Sequence, residues 1–367
     1  MKTSRSLGIV FGAVGLFSAL GFLGGERPLG AGDEVAAGKA LVEAKCASCH
    51  GLTPEEKPTV DSILARKAPD LSYTGNRLQR GWVESWLISP RRVRPAGFPF
   101  HAAVVATSEG DRVDAAKIPA HLKLTAEEAR IAAAYLDTLK RDINPFPQGE
   151  PNAELRAEVH FEKILPCGGC HQARPGKGGV SGPELWSSGR RLAKDYVSSY
   201  IADPVYWTKA PMPKLPVRSD QLAAITDYLL ASNEPEADAT LGKSALGSGH
   251  GTPPPAVDAT SDPTSDRGAA IYRALCSQCH GVTGNGQGIN APSLFVSPRD
   301  HTSFDEMSAL TDDRIATAIK RGGVAVGKSA LMPSWGGVLG DDDIQVLVKY
   351  LRKLSGTGEE SSAPAGR

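Results

Sequence analysis

The sequence opens on an uncharged, mostly apolar run from Leu7 to Gly25, with Lys2 and Arg5 ahead of it and Glu26 closing it. After that run, apolar residues come in short amphipathic stretches set between Gly- and Pro-rich loops. No later stretch is apolar enough to span a bilayer. Three stretches carry a Tyr-Leu pair at their C-terminal ends: Tyr135-Leu136, Tyr228-Leu229 and Tyr350-Leu351. Thr125, Ser219 and the Asp341–Asp343 run sit where these helices should be capped. The acidic run therefore reads as a helix N-terminus, where the macrodipole favours anions, rather than as a docking patch. Three further short helical stretches each run into a Cys-x-x-Cys-His. The pattern predicts an all-α chain.

A basic n-region followed by an apolar segment is an export signal. The run is long for a cleaved signal and just long enough to cross a bilayer. Residues 1–31 are expected to be a signal peptide or an N-terminal inner-membrane anchor, with the anchor favoured, and Leu29-Gly30-Ala31 offers a cleavage point. The rest of the chain is expected in the periplasm. Residues 234–265 are rich in Ala, Ser, Gly, Thr and Pro with little that can pack, so they read as a flexible linker. Residues 357–367 read as a disordered tail. Between these lie units at 32–145, 146–233 and 266–356. The short Pro-rich joint at 144–151 implies that the first two pack together and the third hangs on a leash.

The chain has six cysteines, and all fall in three identical frames: Cys46-Ala47-Ser48-Cys49-His50, Cys167-Gly168-Gly169-Cys170-His171 and Cys276-Ser277-Gln278-Cys279-His280. This is the frame for covalent haem c attachment, in which two thiols take the vinyl groups and the adjacent His lies under the iron. Paired zinc knuckles are absent, and no cysteine is left over for a redox dithiol. Three haem c groups are expected, with His50, His171 and His280 as iron ligands. Export agrees, because this attachment takes place outside the cytoplasm. Lys+Arg and Asp+Glu both total 41 and the pI is near 7.1, which argues against nucleic acid as a partner. Gly284-Asn285-Gly286-Gln287-Gly288 lacks the strand before it and the Lys-Ser/Thr after it that a phosphate loop needs.

The units repeat. Gly38 and Val42 precede Cys46 at the spacing by which Gly268 and Tyr272 precede Cys276. Each motif is followed by Pro-x-Leu, at Pro69, Pro183 and Pro292. Units one and two align at a constant offset of 114, so that Leu71, Gly75, Arg77, Leu78 and Pro99 answer Leu185, Gly189, Arg191, Leu192 and Pro213.

This layout resembles the class I cytochrome c family over nearly all of the chain after about residue 32. The resemblance implies crossed terminal helices around each haem, with a loop proline whose carbonyl accepts from the proximal His. Pro69, Pro183 and Pro292 would do so for His50, His171 and His280. It also implies a Met thioether as sixth ligand, usually followed by Pro. Met212-Pro213 and Met332-Pro333 fit, while Met307 reads as packing. Unit one has no Met, and at the shared offset Phe98 stands where Met212 does. An insertion of about twenty residues follows, containing His101 and reaching His121. His101 is nearest the lost position and is the first candidate. His121, or an open iron, is the alternative. His160 and His301 read as surface residues. Arg77 and Arg191 are candidates for haem propionates, and Arg91, Arg92 and Arg94 for a basic patch near haem one.

The expected function is electron transfer between respiratory partners, from a quinol-oxidising complex towards a terminal oxidase or a periplasmic reductase. No catalytic residue is expected. The alternative is a haem enzyme or gas- or peroxide-binding protein acting at an open haem one.

Overall fold

The computed structural model describes residues 30–55, 59–147, 149–152, 156–208, 212–233 and 263–357. The expected leader or anchor lies almost wholly outside the described residues, as do the expected linker and tail. Among the described residues, no helix is long and apolar enough to cross a membrane. The fold is mostly helical. Among the described residues there are two sheets, both small hairpins, β1 (Val104–Val105) with β2 (Arg112–Val113), and β3 (Gln172–Arg174) with β4 (Lys177–Gly178).

In the first unit α1 (Ala31–Lys45) crosses α3 (Ala126–Thr138), and α2 (Arg80–Ile88) packs on α3 as well. Val42, Val83, Leu87, Ala132 and Leu136 form the apolar cluster between them. Gly38 makes the crossing: a Cβ there would run into the Ile131 carbonyl and the Tyr135 side chain. Thr125 caps α3 with a reciprocal box, its hydroxyl accepting from Glu128 N (3.3 Å) while the Glu128 carboxylate accepts from Thr125 N (3.0 Å).

The middle unit is built from α4 (Lys194–Ala202) and α5 (Ser219–Ala231) around Phe161, Tyr196, Trp207, Ile225 and Leu229. Its approach to the Cys motif is a short helical stretch, Ala157–Val159, that widens into a π-type turn at His160–Ile164. Arg218, not Ser219, stands at the N-cap of α5. The Gln221 side chain accepts from its amide at 3.1 Å. His160 is tied to this helix through Gln221 Nε2 at 2.9 Å, so it is a structural residue.

In the third unit α6 (Pro263–Ile271) crosses α8 (Asp341–Ser355), which also packs on α7 (Asp312–Arg321). Gly268 repeats the role of Gly38, facing Tyr350 and the Val346 carbonyl. Asp341, Asp342 and Asp343 form the first turn of α8, and Asp343 accepts from Arg267 at 2.8 Å.

The offset of 114 becomes a local two-fold relation. Leu78 pairs with Leu192 in an antiparallel bridge. Gln79 N donates to Arg191 O (3.0 Å) and Ala193 N to Arg77 O (3.1 Å).

The third unit is docked, contrary to the expectation of a free leash. The insertion after Phe98 reaches across to it. Ala96, Phe100, Ala103, Val104 and Val113 cluster with Val180 of the middle unit and Val282 and Ile289 of the third. Asn290, fully buried, accepts from Val180 N at 2.8 Å. Arg267 also donates to Asp61 of the first unit at 2.5 Å. Residues far apart in sequence supply this interface, so composition of the joining segment gave no sign of it.

Asp111 sits in that interface at 3% exposure, accepting from Val282 N at 2.8 Å, with its other oxygen unpartnered. Burial pushes its carboxyl up to about 6, the Val282 amide acting in the opposite sense. Tyr272 is the titratable neighbour on the facing unit. A folded-state pKa above the unfolded value near 3.8 means that the folded protein holds the extra proton. The contribution is therefore complete below about pH 4 and lost as pH rises through about 6, a swing of roughly 2–3 kcal/mol. Melting curves from pH 4 to 7 are expected to show this loss, and Asp111→Asn to flatten it.

Candidate haem sites

Each Cys-x-x-Cys-His sits on a tight turn that brings its imidazole over a backbone carbonyl. His50 Nδ1 donates to Pro69 O (2.6 Å) and His171 Nδ1 to Pro183 O (2.8 Å). In the third unit the acceptor is Arg299 O at 3.0 Å, not Pro292. The separation of 19 residues equals that between His50 and Pro69. The chain position therefore matches, but the residue delivering the carbonyl is the one after Pro298. This bond fixes the ring and leaves Nε2 as the lone-pair nitrogen. Burial pulls His171 down to about 4, with the Pro183 bond acting against it, which keeps the ring neutral. His50 and His280 are also lowered by burial.

All three motifs open into one continuous cavity of about 1360 Å³. Its wall includes the six cysteines, the three motif histidines, Met212 and Met332. Met307 is 1% exposed and belongs to the third-unit core. The thiols are unpaired. Burial pushes Cys167 and Cys276 up to about 12 and Cys170 to about 11, the opposite of a redox-active dithiol. Two motifs lie side by side. Cys170 Sγ is 3.6 Å from Gln278 Oε1, between the two cysteines of the third motif, and burial together with Cys170 pushes the Cys279 thiol up. Ser181, Gln278 and Asn290 form a buried hydrogen-bonded bridge at that point.

His101 is not in the cavity wall, whereas His121 is. The short turn Phe100–Ala102 packs against the third unit's motif segment. The His101 ring there lies against Phe100, and burial, with Arg273 nearby, pulls it down to about 4. His121 comes back to the first motif, 6.2 Å ring to ring from His50. The path of the insertion, and not distance along the chain from Phe98, decides which His arrives.

His301 is buried at 9% exposure rather than solvent-facing. Its ring stacks on His280 at 4.3 Å and 18°, with Nδ1 at 3.2 Å from Tyr272 Oη. The turn that folds it inward is held by His301 N to Gly284 O (2.7 Å) and Thr302 N to the Asp300 carboxylate (2.8 Å). A lone loop His carries no local sign of such burial.

Two family models match the chain: Cytochrome c over residues 35–140, and cytochrome c oxidase, cbb3-type, subunit III over residues 263–351. The chain carries cytochrome c domains. A thiosulfate dehydrogenase of Psychrobacter arcticus is 28% identical over 142 residues, which are 38% of this cytochrome and 39% of that protein. The match thus spans well under half of the relative's length.

The residues of this cytochrome fit the haem c that its family carries. Besides the paired thiols and neutral imidazoles, Arg77 Nε and Arg191 Nε are buried without a partner although both side chains line the cavity. Arg94 joins them, pulled down to about 10 by burial. Arg191 has Glu184 as its carboxylate, at 3.5 Å. Haem propionates are anions that would accept from the unpartnered Arg77 and Arg191 Nε–H groups and offset the charge of Arg77 and Arg94. Arg91 and Arg92 line the same cavity.

Proposed function

We propose that this cytochrome carries three haem c groups, on Cys46/Cys49, Cys167/Cys170 and Cys276/Cys279, and passes electrons among them. The observation that carries this reading is the single cavity walled by all three motifs. Haem iron supplies a reversible one-electron couple whose potential follows its axial ligands. The protein's part is to hold His50, His171 and His280 in one tautomer and to bring Met212 and Met332 to the second and third sites. Gly323 N donates to Met332 O at 2.8 Å and anchors the loop that presents that thioether. Arg77, Arg94 and Arg191 neutralise propionates. The three units at 32–145, 146–233 and 266–356 act as domains around these groups.

The donor and acceptor are redox proteins on the periplasmic side: a quinol-oxidising complex, and a terminal oxidase or periplasmic reductase. Residues 1–31 deliver the chain there as signal or anchor. The relative's name carries a second reading, thiosulfate oxidation. Protein matured in a host competent for haem attachment is expected to give three haems per chain by pyridine haemochrome, with all haem retained on a denaturing gel. A count clearly below three overturns the proposal, and haem reduction by added thiosulfate moves the second reading ahead.

A further inference from the structure

We propose that His121 is the second axial ligand of the first haem, opposite His50, and that the insertion in unit one exists in part to deliver it. This rests on the haem reading of Cys46–His50 given above. Two imidazoles sharing one iron are separated by two metal–nitrogen bonds of about 2 Å and the half-width of each ring, about 6 Å in all. The ring centres of His50 and His121 stand 6.2 Å apart.

The hydrogen bonding agrees. His121 Nδ1 donates to Leu122 O at 2.8 Å, which leaves Nε2 with the lone pair. His50 is prepared in the same way by Pro69. The Trp86 ring lies 4.6 Å from that of His121 and sets its orientation, and Trp86 is itself held by a 2.9 Å bond from Nε1 to Arg91 O.

The insertion does two jobs in sequence. Its outgoing leg, through His101 and the β1–β2 hairpin, docks the third unit. Its returning leg brings Pro119, Ala120 and His121 to the cavity wall. Leu124 N donates to Leu87 O at 3.0 Å and fixes the end of that leg on α2. The Met that the second and third units supply is thus replaced from the far end of the insertion. Imidazole in place of thioether favours the ferric state, so this haem has the lowest potential of the three.

The test uses the mature holoprotein. In the untouched protein all haems are expected to be low-spin and none to bind carbon monoxide. His121→Ala is expected to turn one haem in three high-spin and carbon-monoxide-binding, reversed by added imidazole. His101→Ala should leave the spectrum unchanged. His121→Met keeps six-coordination and should raise the lowest of the three potentials, which guards against a variant that matures poorly. A count of three haems with no spin change in His121→Ala overturns the ligand assignment alone, as does carbon monoxide binding by the untouched protein. Fewer than three haems before any substitution overturns the haem reading itself.

Discussion

Replacing Cys167 and Cys170 by alanine is expected to leave a two-haem protein that no longer passes electrons from the first unit to the third. The middle unit touches both neighbours, and its motif lies directly against the third. On one side it meets the first unit through the Leu78–Leu192 bridge and the reciprocal bonds of Gln79 and Ala193. On the other, Cys170 lies against Gln278, between Cys276 and Cys279. The first unit also meets the third, through Val60 and Ile63 in the third-unit core and Asp61 on Arg267, but none of these residues belongs to a Cys-x-x-Cys-His frame. The insertion that spans the two units contributes Phe100, Ala103, Val104 and Val113 rather than a haem-binding frame. Haemochrome should fall by one third, and stopped-flow reduction should become biphasic, with one remaining haem reduced and the other left behind. Undiminished reduction of both would show a route that bypasses the middle unit.

Replacing Gly38 by valine is expected to destabilise the first unit by more than about 4 kcal/mol, among the largest single-residue effects. The added side chain would meet the Ile131 carbonyl, which belongs to helix backbone and cannot step aside as a flexible side chain would. Relief requires α1 and α3 to separate, which opens the cluster of Val42, Ala132 and Leu136. Such a loss is a large fraction of the stability of a small domain. Gly81, at an exposed position in the first turn of α2, provides the contrast. A Cβ there meets nothing within 4 Å, and Gly81→Ala should stabilise by roughly 0.5–1 kcal/mol. Thermal melts of the two variants, followed by haem content, separate a packing effect from a general intolerance of substitution at glycine. A Gly38→Val protein that melts with the untouched one would show that the helices do not cross as closely as Gly38 allows.

What the sequence determined on its own is whatever lies in a short stretch of chain or repeats in register. The three Cys-x-x-Cys-His frames are contiguous, so the paired thiols and their neighbouring imidazoles follow from chain connectivity alone. Pro69 and Pro183 occupy the same register in two units, and their carbonyls meet His50 and His171. Gly38 and Gly268 share a spacing because both stand where two helices cross.

The tertiary structure decided what depends on the course of a loop. Pro292 has the right local pattern, but the loop of the third unit delivers Arg299 instead. His101 is nearer than His121 to the lost methionine position, but docking of the third unit takes the outgoing leg of the insertion. His121 faces His50 because Leu124 is tied to Leu87. His301 and Asp111 are buried by partners that lie in other segments or other units. Local pattern carries propensity and register. Which side chain closes a site is set by packing between residues remote in sequence, whose free energy no local stretch contains.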